Sequence, residues 1–328
     1  MKEDTHLIMR PTEVNPEDYY VSGHRTCAGC GAALGYRLVL KAAGSNTVVL
    51  GPTGCMYVAN AHQFLTSPYT VPWYHTQLGA GGPAGIGTAA AFRALIFKGK
   101  RKNEPVNVLV YGGDGGLADI GFSGLSMALS YDYEHLLYVM YDNESYANTG
   151  IQASSTTPFG SSTTFTPSGK VKPIGNERMK KNVALIAACH PGVKYVATAS
   201  ISHPLDLINK VRMALASGRP SFIHVLVPCP KGWIHPPEET IEIARLAVDT
   251  GMWVLWEYKE GSFSLSAKPT KRKDIKEYIT KQGRFAHLRG NEEAIRYIQM
   301  MVDREWENWE EMDRTKKLIV PWVPSFQQ

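Results

Sequence analysis

The stretch Val106-Asn107-Val108-Leu109-Val110-Tyr111-Gly112-Gly113-Asp114-Gly115-Gly116 decides the fold. Its first half, apolar but for Asn107, has the pattern of a strand buried on both faces of a parallel sheet. Its second half breaks into glycines around a single aspartate, and the pattern then predicts an amphipathic helix over Ala118–Ser130, with Ile120, Leu125, Met127, Ala128 and Leu129 apolar. In parallel sheets ligands bind beyond the carboxyl ends of the strands. Glycines there let backbone amides approach an anion, and the helix N-terminus that follows favours negative charge. An aspartate among them does not suit a bare phosphate. It suits a divalent cation held between Asp114 and phosphates.

Outward from this turn the same alternation continues. Asn46–Gly51, Leu136–Tyr141 and Phe222–Val227 read as strands. Helical patterns fill the second half of Gly79–Ile96, then Val183–Cys189 and Leu205–Ala216, and residues 237–258 read as one helix and a strand. Buried strands separated by helices predict an α/β fold, a doubly wound, mostly parallel sheet over residues 23–258. A polar, proline-containing arm over 1–22 and a C-terminal arm over 259–328 flank it. The tail is helical with exposed-looking Trp306, Trp309 and Trp322, and it is expected to pack on partner subunits, because aromatics are enriched at interfaces.

Composition narrows the function. With 44% apolar and 20% charged residues in 328, the chain is globular. The balance of 35 Lys+Arg against 30 Asp+Glu gives only +5, too little to argue for nucleic acid. No apolar run reaches the ~18 residues of a membrane-spanning helix. Met1–His6 lacks the apolar core of a signal peptide, so a cytoplasmic location is expected.

The next predicted strand ends in Tyr141-Asp142-Asn143-Glu144-Ser145, and Asn143 lies 29 residues after Asp114. Two neighbouring strand ends would then offer one Mg²⁺ the Asp114 carboxylate, the Asn143 side-chain carbonyl and a main-chain carbonyl near Ser145, with diphosphate oxygens and water completing the octahedron. The spacing resembles the diphosphate-binding motif of thiamine diphosphate enzymes. A dinucleotide site is disfavoured, because no Gly-x-Gly-x-x-Gly helix opening with a later acid is present.

There are five cysteines. Cys27-Ala28-Gly29-Cys30, Thr53-Gly54-Cys55 and Pro228-Cys229-Pro230 place four of them in glycine- or proline-flanked loops. Four thiolates suit an iron–sulfur cluster or a tetrahedral zinc, and unrelated core cysteines are the third reading. Cys189, in an apolar helical run, reads as a buried structural cysteine. His75 and His62 read as structural histidines.

These segments, taken in order with Gly113-Asp114-Gly115, Asp119-Ile120-Gly121, the run Asp142 to Gln152, Thr157-Pro158 and Cys229-Pro230-Lys231-Gly232-Trp233, resemble the β subunit of 2-oxoacid:ferredoxin oxidoreductases of the pyruvate synthase type. The likeness spans about Gly23 to Gly251. It implies a 4Fe–4S cluster on Cys27, Cys30, Cys55 and Cys229, close to thiamine diphosphate. It implies Mg²⁺ on Asp114, Asn143 and the main chain of Ser145, and Asn148 on the substrate side of the cofactor. The glutamate that activates the aminopyrimidine would come from another subunit, and no ferredoxin-type cysteine run is present. The resemblance therefore implies partners: a pyrimidine-domain α subunit, a coenzyme A-binding γ and a ferredoxin-like δ subunit or a fused form, with ferredoxin as electron carrier. The implied reaction is oxidative decarboxylation, of pyruvate first, with oxalate or another 2-oxoacid behind it, and coenzyme A as acyl acceptor. Two departures stand out. Ala32 follows Gly31 where pyruvate-type relatives often carry glutamate, and Trp73-Tyr74-His75 runs into Thr76-Gln77 rather than an acid–amide pair. A non-redox thiamine diphosphate enzyme half and a structural metal-binding subunit are the competing readings.

Overall fold

In the computed structural model, residues 7–60 and 67–318 are described. At its centre β3 (Asn107–Gly113) lies beside β4 (Leu136–Asp142), every residue of which is buried. Such strands have no solvated face, so both sides of the sheet carry helices. The sheet has eight strands in the order β2-β1-β3-β4-β6-β5-β7-β8. The strands β1 (Thr47–Pro52), β2 (Trp73–Thr76), β3, β4, β5 (Tyr195–Ser200) and β6 (Ser221–Leu226) are parallel. The last two, β7 (Trp256–Lys259) and β8 (Ser262–Leu265), add antiparallel at one edge. Their two-residue turn, Glu260-Gly261, has positive φ at both positions, the geometry that matches strand twist in a tight hairpin.

One face of the sheet is covered by α1 (Gly31–Ala43) and α6 (Pro204–Ala216). In α1, Tyr36, Val39, Leu40 and Ala43 recur at helical spacing and form its buried stripe. The other face is covered by α3 (Gly81–Phe97), α4 (Phe122–Leu129), α5 (Val183–Ala188) and α10 (Glu292–Thr315). The helices α3 and α4 cross closely, since a Cβ on Gly82 would lie 2.2 Å from the Gly124 carbonyl carbon. Two short helices, α2 (Cys55–Val58) and α7 (Pro230–Trp233), open the loops after β1 and β6. A third group of helices, α8 (Thr240–Thr250) and α9 (Ile275–Thr280) with one end of α10, builds a satellite core around Trp233, Tyr278 and Phe285.

Three expectations are corrected. Residues 115–120 form a π-helical turn, and only Phe122–Leu129 is α-helix. Gly121 N–H bonds Gly116 O at 3.0 Å, five residues back, so the turn is wound wider than an α-helix, and only a glycine fits where a Cβ would strike that oxygen. Ile120 and Met127 consequently face outward. Trp306 and Trp309 are buried, not exposed: Trp309 stacks on Trp256 and Phe263 of the hairpin. Their contribution to α10 is a stripe with Ile295, Ile298 and Met312, which the Trp-rich composition hid. Cys189 is exposed at the end of α5 rather than buried, because the buried face of that short helix ends at Ala188. Trp322 and His62 lie outside the described residues. Before α1, residues 7–22 lie along the first face, with Ile8 bonded to Asn209 and Lys41 to the carbonyls of Asn15, Pro16 and Glu17.

Removing a fully packed aromatic leaves a cavity costing ~3–5 kcal/mol. Trp309→Ala should therefore lower unfolding stability by that amount in a denaturant titration. A change below ~1 kcal/mol would mean the α10 stripe does not hold the hairpin.

Candidate active site

The parallel strands point their carboxyl ends at one region. There β1 delivers Thr53-Gly54-Cys55, β3 delivers Asp114-Gly115, β4 delivers Asn143-Glu144-Ser145, and β6 delivers Pro228-Cys229-Pro230. The Cys27–Cys30 loop joins them because Gly31 N–H bonds Pro228 O at 3.3 Å. Gly29, with φ +68°, brings this loop so near Pro237 that a Cβ would sit 2.3 Å from the Pro237 carbonyl oxygen.

At the β3 and β4 ends, oxygens converge. The Asn143 side-chain oxygen faces Asp114 Oδ1 at 3.3 Å and the Ser145 main-chain oxygen at 2.7 Å, while its nitrogen faces only donors. Turned the other way, the amide nitrogen would donate to both. The orientation with three oxygens and no donor between them suits a hard divalent cation. Ser145 Oγ and Ser155 Oγ, both buried beside this corner, have no hydrogen-bond partner. Gly115 keeps the approach open: a Cβ there would meet the Tyr146 ring at 2.4 Å. Gly113 lies under the Tyr141 ring.

The electrostatics are those of a site short of one cation. Asp114 and Asp142 are both buried, and Thr156 Oγ1 reaches both, at 3.1 Å and 2.8 Å. Burial, and then the Asp142 charge, push the Asp114 carboxyl well above the usual carboxylate range. Burial would raise Asp142 too, but the Lys180 ammonium at 2.9 Å and the His224 hydrogen bond at 2.8 Å outweigh it and hold Asp142 ionised. His224 itself is pushed down, chiefly by burial. A divalent cation at Asp114 supplies the charge this pair lacks.

Between the oxygen donors Asn143 and Ser145, Glu144 takes φ +63°, which costs a non-glycine residue roughly 1–2 kcal/mol. Ile151 and Ile234, both β-branched and both bordering this region, are also left-handed. Strain of this kind persists only where surrounding contacts impose it.

The four loop thiols are gathered in one place. Cys27, Cys30, Cys55 and Cys229 each lie within electrostatic reach of the other three. Among the described residues no three His, Cys, Asp or Glu side chains converge on the position of a single metal ion. Burial, then the neighbouring thiols, push Cys55 up to about 12, and burial pushes Cys30 up to about 11 and raises Cys229. The Gly232 N–H donates to Cys229 Sγ at 3.3 Å. Trp233, in the same loop, donates its indole N–H to Asn143 O at 2.8 Å, which ties the thiol pocket to the oxygen corner. Asn148, exposed, lies beside the Cys55 thiol. His75 is exposed, stacked on Tyr57 at 3.4 Å, with Nε2 2.5 Å from Thr53 Oγ1.

Sequence reasoning missed Thr156, Lys180, Arg284 and Trp233 as members of this site. For Trp233 the signal was there, four residues after Cys229. Lys180 and Arg284 reach the corner from a loop and a distant turn, and no local spacing marks them.

Residues 52–225 match the family model described as thiamine pyrophosphate enzyme, C-terminal TPP binding domain. A pyruvate synthase subunit PorB from Methanocaldococcus jannaschii is 48% identical over 295 residues, covering 88% of this chain and 95% of that one. The PorB subunit of Pyrococcus horikoshii is 40% identical over 331 residues, covering 92% and 96%. A ketoisovalerate oxidoreductase subunit VorB from Pyrococcus abyssi is 41% identical over 304 residues, covering 92% and 94%. A 2-oxoglutarate:ferredoxin oxidoreductase from Magnetococcus marinus, solved with 2-oxoglutarate, coenzyme A and succinyl-CoA bound, superposes with TM-score 0.52 at 19% identity, over 71% of this chain and 82% of that one, a likeness of fold.

Thiols raised this far are almost wholly protonated near neutrality. At pH 8 a thiol with a pKa of about 11 is ~0.1% thiolate, against roughly a quarter for an ordinary cysteine. In the metal-free chain, iodoacetamide at pH 8 should label exposed Cys27 and Cys189 at least ~10-fold faster than Cys30 and Cys55, with the difference shrinking as pH rises. Peptide mass mapping checks this, and equal rates would contradict the buried thiol pocket.

Proposed function

This chain belongs to the PorB/VorB family of 2-oxoacid:ferredoxin oxidoreductase subunits, and from that premise we propose that it is the thiamine diphosphate-binding β subunit of an enzyme that oxidatively decarboxylates pyruvate. The observation that carries this reading is the meeting of the Asp114 carboxylate, the Asn143 side-chain amide and the Ser145 carbonyl, on adjacent strand ends, beside a pocket of four cysteines. When bound, thiamine diphosphate supplies the electron sink for losing CO₂ from a 2-oxoacid, and a cluster takes up electrons singly.

The chain's own residues then have these tasks. Asp114, the Asn143 side-chain oxygen and the Ser145 carbonyl hold Mg²⁺ against the diphosphate. Gly113 and Gly115 leave room for that diphosphate beside the β3 end. Cys27, Cys30, Cys55 and Cys229 hold a 4Fe–4S cluster. Asn148, beside Cys55, is the catalytic residue of this chain and would offer its amide N–H to oxyanion character on the substrate side. His75 and Thr53 lie at the rim, where a 2-oxoacid side chain would be sorted. The similarity to both PorB and VorB subunits leaves pyruvate ahead of branched 2-oxoacids, with oxalate behind.

The chain works with other subunits, as its PorB and VorB relatives are named subunits. The partners we propose are a pyrimidine-domain α subunit, a coenzyme A-binding γ subunit and a ferredoxin-like δ subunit or a fused form, with ferredoxin as carrier, in the cytoplasm. The arm over 259–328 would reach those subunits through the polar face that α10 leaves open. Among the described residues no helix is long and apolar enough to cross a membrane.

Anaerobic purification of the chain alone should give about four iron atoms per chain. The chain alone should turn over no 2-oxoacid, and the complex with its partners should turn over pyruvate with a viologen dye. Two or fewer irons, or turnover by the isolated chain, would overturn the assignment. Asp114→Asn should weaken Mg²⁺-dependent thiamine diphosphate binding by at least ~100-fold while leaving the iron content unchanged, since it removes the one anionic ligand that the protein offers the cation. Binding within threefold of the unsubstituted chain, by calorimetry, would remove Asp114 from the site.

A further inference from the structure

Glu144 stands between two of the proposed cation ligands without being one. It is left-handed, at φ +63°, and 3% exposed. Its N–H, its carbonyl and one carboxylate oxygen are hydrogen-bonded, and the other carboxylate oxygen, which has no hydrogen bond among the described residues, meets Arg284 as an ion pair. Its N–H donates to Asp142 Oδ1 at 2.8 Å, and its carbonyl accepts from Thr157 Oγ1 at 2.7 Å. Its carboxylate pairs with Lys180 at 2.5 Å and with Arg284 at 2.6 Å. Arg284, 3% exposed, lies 3.8 Å over the Trp233 ring, and Trp233 in turn holds Asn143 O. The charges alternate along one buried line: Arg284, Glu144, Lys180, Asp142. That line comes from three separate parts of the chain, and its only exposed flank is at Lys180.

An extended or right-handed residue at position 144 would carry Ser145 O away from the Asn143 side chain. The left-handed step brings the Asn143 side-chain amide and the Ser145 carbonyl to 2.7 Å. A carboxylate is otherwise an odd choice for this conformation, which glycine adopts freely. The carboxylate matters because Arg284 and Lys180 grip it from opposite sides.

We propose that Glu144 is a positioning residue whose left-handed turn, clamped by Arg284 and Lys180, aims the Asn143 side-chain oxygen and the Ser145 carbonyl at one cation. The proposal deepens the site reading above and rests on it. Glu144 does not touch the cation. It sets how much Mg²⁺ is needed for the diphosphate cofactor to bind.

The test compares Glu144→Ala with Glu144→Gly in the full chain, titrating Mg²⁺ at fixed thiamine diphosphate and reading tryptophan fluorescence. Both variants lose the carboxylate and its ion pairs with Arg284 and Lys180, so a purely electrostatic role moves them together. Alanine resists the left-handed turn and glycine does not. Half-saturation by Mg²⁺ should rise tenfold or more in the alanine variant, which loses both the clamp and the ready left-handed turn, and recover only part of the way with glycine, which loses the clamp but still reaches the turn freely. Equal Mg²⁺ requirements for the two variants, or no rise with alanine, would overturn the proposal. If the alanine variant does not fold, Arg284→Gln, which loosens one side of the clamp, should raise the Mg²⁺ requirement over that of Arg284→Lys, and identical values would count against the clamp. No Mg²⁺-dependent binding by the unsubstituted chain would instead sink the site reading itself.

Discussion

Two carboxylates buried side by side around one threonine hydroxyl are the constraint from which the rest of the site follows. A buried charge is tolerated only when paired. Asp142 has its partners in Lys180 and His224. Asp114 shares Thr156 and a serine hydroxyl but among the described residues forms no ion pair, and beside it stand the Asn143 side-chain amide and the Ser145 carbonyl. The arrangement is stable as a cation site and awkward as anything else. The glycine turn after β3 and the left-handed turn after β4 both follow from bringing those groups to one point.

The thiol pocket is built on the same frame. The β6 end carries Cys229, the β1 end carries Cys55, and the loop before α1 is drawn in through Gly31 and Pro228. Trp233 joins the two halves, with one end of its loop on Cys229 and its indole on Asn143. A shift in one half is therefore transmitted to the other through a buried side chain rather than through a mobile loop.

Much of this was legible in the residues. Valine- and leucine-rich runs announced β3, β4 and β6, because strands buried on both faces need no alternation. The Gly-Asp-Gly and Asp-Asn turns could be read as chemistry because parallel topology places successive strand ends side by side. The four loop cysteines stood out by their glycine and proline neighbours. What stayed hidden was long-range or set by local backbone winding. The π-helical turn at 115–120 arises from a close backbone approach at Gly121, not from any residue pattern. The burial of Trp306 and Trp309 depends on a hairpin forty to fifty residues earlier, and a helix rich in charge around them looked solvent-facing. Cys189 sat in an apolar run that ended one residue too soon. Lys180 and Arg284 matter only through Glu144 and Asp142, which no spacing in the sequence connects to them.

The most direct test of the cation corner is an anaerobic crystal structure of the complex grown with Mn²⁺ in place of Mg²⁺ and thiamine diphosphate, read by anomalous scattering at the manganese edge. The account predicts one strong peak ~2.1–2.3 Å from Asp114 Oδ1, the Asn143 side-chain oxygen and the Ser145 carbonyl, with diphosphate oxygens on its far side. A peak bound elsewhere, or a diphosphate seated away from the β3 and β4 ends, would contradict it.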